Sequence, residues 1–127
     1  MKIGFWLFML VIDLIIPLTM FGLGGSFLKK PPKEINSSYG YRTSRSMKNR
    51  DTWEFAHHYV GKLWRMGGLV SIPVSIIVML FAFGKDYHTV GIVSLALTIV
   101  QSIFMAATIF PTEKALKKNF DSNGNRY

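Results

Sequence analysis

Residues 4–25 read GFWLFMLVIDLIIPLTMFGLGG, an apolar run broken by one acid, Asp13, and one proline, Pro17. A helix needs about 20 mostly apolar residues to cross the roughly 30 Å of hydrocarbon in a bilayer, and this run has that length. A secretory leader is the competing reading, with Gly22-Leu23-Gly24 as its small-residue cleavage site. Against it, the apolar core of a leader spans only about 7–15 residues, and here Asp13 sits inside a longer run. The stretch therefore predicts a first membrane span over about 3–27.

Outward from that span, Lys29-Lys30-Pro31-Pro32-Lys33 stops the helix with charge and two prolines. Residues 69–83, LVSIPVSIIVMLFAF, are a second apolar block, read as a span over about 67–84 with Pro73 near one end. After the short turn Gly84 to His88, a third span runs over about 89–110, with Gln101 as its one strongly polar side chain. Half of the 127 residues are hydrophobic, pooled into these blocks rather than spread in amphipathic periods. The fold class expected is an all-α integral membrane protein, a single membrane domain of three transmembrane helices plus an interfacial amphipathic helix.

The net charge of +8 would suggest nucleic acid in a soluble protein. In a three-span protein it has another cause, since Lys and Arg gather in cytoplasmic loops and near anionic headgroups. Nine basic residues lie between the first two spans and four follow the third, against Lys2 and Lys85 on the other side. The positive-inside rule then places the N-terminus outside, and the long loop and C-terminus in the cytoplasm. The partner implied is a lipid bilayer with anionic headgroups, with no direct nucleic acid. The chain contains no cysteine, so disulfides and thiolate metal sites are excluded.

Between the first two spans, residues 29–66 read as an ordered loop followed by an amphipathic helix. Asp51 is the expected N-cap, with Glu54 at the capping-box position. Trp53, Ala56, Val60, Leu63, Trp64 and Gly67 share one helical face; Glu54, His58, Lys62 and Arg65 share the opposite one. Such a helix suits the headgroup plane. Gly67-Gly68 is either a hinge into the second span or part of one long helix. Residues 111–127 read as a C-terminal tail, with Pro111-Thr112-Glu113 ending the third span, a short surface helix over Lys114 to Phe120, and a frayed end.

Chemistry is sparse. A carboxylate in mid-span costs about 2.5–3.5 kcal/mol on insertion scales, so Asp13 should face the bundle or be protonated. It is either a proton or ligand site, or a structural partner of Gln101, Thr98 or Ser75. His57 and His58 point about 100° apart on a helix and do not readily share a metal. Glu54 and His57 have the E-x-x-H spacing of di-iron bundles, but no second motif or further glutamates complete such a site. No catalytic triad, phosphate loop or carboxylate pair is present, and no cofactor is implied; the reading is binding rather than catalysis. The loop GYRTSRSMKNR, residues 40–50, interleaves guanidinium and hydroxyl groups in a way that suits phosphate or carboxylate recognition.

Asn36, Tyr39-Gly40-Tyr41-Arg42-Thr43, Ser46-Met47-Lys48-Asn49, Thr52-Trp53 and Gly61-Lys62, with Pro111-Thr112-Glu113, Leu116, Lys117 and Phe120, closely resemble the signature of the SdpI/YfhL family over roughly residues 31–120. One departure is His57, after Ala56, where the resemblance implies Asn. The family comprises small bacterial membrane proteins. Its named member confers immunity against a secreted membrane-active peptide and holds a transcriptional repressor at the membrane; it has extra N-terminal spans, which this sequence lacks. The resemblance implies an inner-membrane immunity protein that binds a toxin peptide. Its alternatives are a membrane anchor for a cytoplasmic repressor, and a lipid-handling enzyme or transporter. With three spans, a homodimer is compatible. Carried over, the binding residues are Asn36, Tyr41, Arg42, Thr43, Ser46, Met47, Lys48, Trp53, His57, Lys62, Pro111, Thr112 and Glu113. Glu113 is expected to pair with Arg42 or Lys62 and so dock the loop onto the third span.

Overall fold

The computed structural model describes residues 3–36 and 39–127; Lys2, used above in counting charge, lies outside them. Among the described residues the regular structure is helical: α1 Ile3–Lys29, α2 Arg50–Phe81, α3 Tyr87–Ala107 and α4 Ile109–Asn119. Three helices are long and apolar enough to cross a membrane: α1, α2, and α3 taken together with α4. The polarity of the bundle is reversed relative to a water-soluble protein. Leu7, Phe8, Val11, Ile15, Val70, Ile77, Leu95, Ile99 and Ile103 point outward, while Asp13, Ser75, Ser94 and Gln101 are buried. Apolar side chains facing outward and polar ones facing one another is the arrangement hydrocarbon demands.

The amphipathic segment is not a separate interfacial helix. It is the first half of α2, which runs unbroken through Gly67, Gly68 and Pro73. At about 1.5 Å per residue, a helix of this length measures about 48 Å, well beyond the hydrocarbon thickness. Its apolar part begins at Met66, so the turns carrying Asp51, Glu54, His57, His58 and Lys62 project past it. The face through Trp53, Ala56 and Val60 is buried against the end of α1 and the loop rather than laid on a headgroup layer.

The N-cap of α2 is Asn49, not Asp51. Its side chain accepts from the Thr52 N–H at 2.9 Å, and the Thr52 hydroxyl accepts from the Asn49 N–H at 3.1 Å, a reciprocal box with Thr at N3. Asp51 sits in the first turn, where a negative charge suits the helix dipole, and pairs with Arg126 at 2.7 Å. Glu54 pairs with Arg50, one turn back.

Helices α1 and α2 are the most closely apposed pair. A Cβ built on Gly24 would run into the Arg65 backbone nitrogen and lie 2.7 Å from the Gly61 oxygen, and one on Gly61 would lie 3.0 Å from the Gly24 oxygen. A Cβ on Gly68 would lie 2.6 Å from the Phe21 nitrogen and 2.7 Å from the Pro17 oxygen. The two backbones touch because these positions lack side chains. Gly68 is therefore a packing residue in a continuous helix, not a hinge.

The turn from α2 to α3 uses Gly84 at φ 85° and Asp86 as N-cap, accepting from the Thr89 N–H at 2.9 Å. Trp6 donates to the Met79 carbonyl at 2.7 Å and meets Phe83 edge-on, closing this end of the bundle. At the other end, Phe27, Tyr41, Ala56, Val60, Leu116 and Phe120 form a second cluster.

Past α3 the path differs from the tail expected. Helix α4 begins before Pro111, which falls in its first turn, where a missing N–H costs nothing. It is not a surface helix, since Leu116 and Phe120 are buried. Nor is the end frayed. Gly124, at φ 85°, turns the chain back; Phe120 bridges Arg126, and Asn49 donates to the Gly124 carbonyl at 2.7 Å.

Gly24→Val and Gly68→Val should each lower stability by about 1–3 kcal/mol, the usual cost of overpacking. Gly22→Ala, in open space, should be neutral or stabilising by up to about 1 kcal/mol through helix propensity. Thermal unfolding in detergent, followed by circular dichroism, checks both; equal effects at Gly22 and Gly68 would contradict the close backbone contact.

Candidate binding site at the basic end of the bundle

Between α1 and α2 the chain folds back over the end of the bundle, and three buried groups hold it there. Trp53, wholly buried, donates from its indole to the Pro32 carbonyl at 2.9 Å. His57 Nε2 accepts the Tyr41 N–H at 2.8 Å, while its Nδ1 lies 2.7 Å from the Trp53 carbonyl. Ser46 donates to the Tyr41 carbonyl at 3.0 Å and accepts the Thr43 N–H at 2.9 Å, making residues 41–46 a tight polar turn. Gly40, at φ 108°, brings the backbone against His57 and Trp53, where a Cβ would lie 2.6 Å from His57 Nε2.

The partners determine the form of His57. Nε2 meets an N–H, so it must be the bare acceptor, and Nδ1–H donates to the Trp53 carbonyl. Phe27 packs edge-on against the ring, and Trp53 lies against it. Burial, foremost, pushes the imidazole below the ordinary histidine range; the Trp53 carbonyl opposes this, and the neighbouring His58 adds to it. Protonation would set two N–H groups against each other at Tyr41.

Glu113 is where α4 receives the loop. One carboxylate oxygen accepts from the Tyr41 hydroxyl at 2.5 Å and from the Thr43 hydroxyl at 2.9 Å. The docking expected of Glu113 exists, but hydroxyl groups make it, and Lys62 stands exposed on the opposite face of α2. Burial raises the Tyr41 phenol above its ordinary range, and the hydrogen bond and charge of Glu113 push it further the same way. The phenol is thus a permanent donor. Thr112 bonds the Thr108 carbonyl at 2.8 Å, and Thr108 accepts from the Trp64 indole at 2.9 Å.

Beside this docked loop lies a groove of about 450 Å³ between the loop and the end of α3. One wall is polar, made by Arg42 and Thr43; the other is apolar, made by Met105, Ala106 and Ile109. Trp64 stands across one end. Arg42 is exposed at the rim. The groove can hold an amphipathic guest, with its polar part on the loop and its apolar part on α3.

The structure brings together Tyr41, Thr43, Ser46, Trp53, His57 and Glu113 as one bonded unit, with Arg42 beside it, while Thr112 bonds the Thr108 carbonyl one turn back. Asn36 accepts the Tyr39 N–H and donates to the Glu34 carbonyl, shaping the loop away from the groove. Lys48 and Lys62 are exposed; Met47 and Pro111 are partly buried and do not line the groove. Sequence reasoning missed Trp64 and Thr108 as site residues. The one available signal was Trp64 on the apolar face of an otherwise polar helix half.

Within the bundle, Asp13 faces α3. Its Oδ1 accepts from Ser94 at 2.6 Å and Thr98 at 3.2 Å. Gln101 donates to the Asp13 backbone carbonyl at 2.9 Å and to the Ser75 hydroxyl at 2.8 Å. That carbonyl is the one Pro17 leaves without a helical donor. Of the partners expected, Thr98 bonds the carboxyl, Gln101 bonds the backbone and Ser75 is reached through Gln101; Ser94 is an addition. Among the described residues no cluster of His, Asp and Glu could hold a metal ion.

A family model described as the SdpI/YfhL protein family matches residues 33–112. The chain is 36% identical over 94 residues to a Bacillus subtilis (strain 168) protein named "Uncharacterized protein YfhL", covering 74% of this chain and 76% of that protein. No solved structure gives a significant match.

Two outcomes test the site. A double-mutant cycle on Tyr41→Phe and Glu113→Gln should show a coupling of about 1 kcal/mol or more, because a hydrogen bond to a charged group is worth about 1.5–3 kcal/mol; additive effects would show that the pair does not dock the loop. For His57, the depressed value in the fold means that its stabilising effect is complete above the ordinary 6.5. That effect is lost as pH falls from there through the folded value. The stability difference between wild type and a non-titrating His57→Asn variant should therefore fall below about pH 6.5, and a difference flat across that range would exclude the neutral, accepting imidazole.

Proposed function

The chain belongs to the SdpI/YfhL family, and on that premise we propose that it is a multi-pass bacterial membrane protein of the immunity type, protecting the cell by binding a membrane-active peptide. The observation that carries this reading is the two-sided groove at the basic end. A peptide that acts on membranes is itself amphipathic, and a site with an Arg42–Thr43 wall facing a Met105–Ile109 wall matches that division. The groove sits where the apolar surface of the bundle gives way to charge, the depth at which such a peptide resides.

The orientation that goes with this reading puts the basic loop and α4 in the cytoplasm. The protein acts by occupancy, with no bond made or broken. Preorganisation supports a binding role. The Tyr41–Glu113, His57–Tyr41 and Ser46–Tyr41 bonds hold one groove wall rigid before any guest arrives, so little ordering remains to be done on binding.

Expression in a sensitive bacterium, followed by challenge with membrane-active peptides, should raise survival. Ala106→Trp, which fills the groove without touching the bonds that dock the loop, should abolish protection while the protein still reaches the membrane at normal levels. Killing unchanged by the wild-type chain would reject the immunity reading. Protection undiminished by Ala106→Trp would reject the groove.

A further inference from the structure

Asp13 lies in α1, outside the residues the family model matches, and the bonding around it is incomplete in an informative way. Its carboxyl is fully buried. Oδ1 takes two hydroxyl donors, from Ser94 and Thr98, whereas Oδ2 is buried with no partner. Gln101, 6% exposed, spends both N–H bonds on the Asp13 carbonyl and Ser75, and its Oε1 is likewise buried without a partner. Thus one small cluster, shared by three helices, contains two orphaned acceptors that no donor of the cluster reaches.

The groups facing Asp13 are neutral. Helix α3 presents Ser94, Thr98 and Gln101, and α2 presents Ser75 through Gln101. The ion pairs of the described residues lie at the far polar end, between Arg50 and Glu54 and between Asp51 and Arg126. An ionised carboxylate here would carry one dry oxygen and no counter-charge at the depth where both cost most. A second acceptor beside it would make matters worse. One proton cures both defects, because a protonated carboxyl oxygen becomes a donor.

We propose that Asp13 is a proton-binding site within the membrane: the neutral acid carries its proton on Oδ2 and donates it to Gln101 Oε1. With that proton in place every polar atom of the cluster is bonded. Asp13 then ties α1 to α3 through both its carboxyl and its backbone, and Gln101 extends the tie to α2. Loss of the proton would restore a bare charge facing an amide oxygen and open the α1–α3 contact.

Infrared spectroscopy of the full chain in lipid vesicles tests this. At neutral pH the wild type should show a carbonyl band of a protonated carboxyl, lowered in frequency by hydrogen bonding. The band should vanish in Asp13→Asn, whose amide N–H can replace the donated proton and keep the fold. It should move to higher frequency in Gln101→Leu. Should either variant fail to fold, carbon-13 labelling of aspartate in the wild type reads the same state, as one carboxyl that stays neutral at pH 7 while the others are ionised. Absence of a neutral carboxyl overturns the proposal. A band that vanishes in Asp13→Asn but is unmoved in Gln101→Leu overturns the assignment of Gln101 as its acceptor.

Discussion

The direct contact of two helix backbones, α1 on α2 at Gly24, Gly61 and Gly68, is the constraint from which the rest of the molecule follows. In lipid, burying apolar surface gains nothing over leaving it in the hydrocarbon, so helices associate through close packing and a few polar bonds. Removing side chains at three points lets the backbones reach van der Waals contact over several turns. That seats the end of α1 beside the projecting half of α2 and places Phe27 against His57 and Trp64. The loop then has a preformed aromatic floor on which to fold.

Polar bonds do the remaining joining, and they divide by depth. Inside the bundle, α3 is tied to α1 and α2 by Ser94, Thr98 and Gln101, which recur along one face of the helix. At the basic end, Tyr41 and Thr43 converge on Glu113, so residues 70 and more apart in sequence meet at one carboxylate. Both sets bond a carboxyl with hydroxyl groups rather than with cations. Hydroxyl donors avoid the desolvation of a cation, which a buried ion pair would incur.

Much of this was legible in the sequence because its causes are local. Span lengths follow from runs of apolar residues, and the basic asymmetry follows from counting. Thr98, Ser75 and Gln101 could be named as partners of Asp13 because few polar side chains exist at that depth. What stayed hidden depends on register between elements. Asn49 and Asp51 are both acceptable N-caps by type, and only the reciprocal fit with Thr52 selects Asn49. Gly67-Gly68 reads equally as a hinge or as part of one long helix, and only the contact of Gly68 with Phe21 and Pro17 decides for the helix. The end of the chain reads as polar and frayed, because its order comes from Asn49 and Asp51, some seventy residues earlier. Glu113 was correctly marked as the residue that docks the loop, but a sequence favours the nearest opposite charge and does not reveal that two hydroxyls arrive first.

An unbroken α2 has a mechanical meaning. The helix is a stiff rod about twice as long beyond its last glycine contact as between those contacts, gripped near its middle by α1. Gripped at two separate points, Gly61 and Gly68, such a rod is held at a fixed tilt against α1. The same rod therefore sets the span between Trp53, under the loop, and Met79, where Trp6 bonds α2 to α1 at the other end.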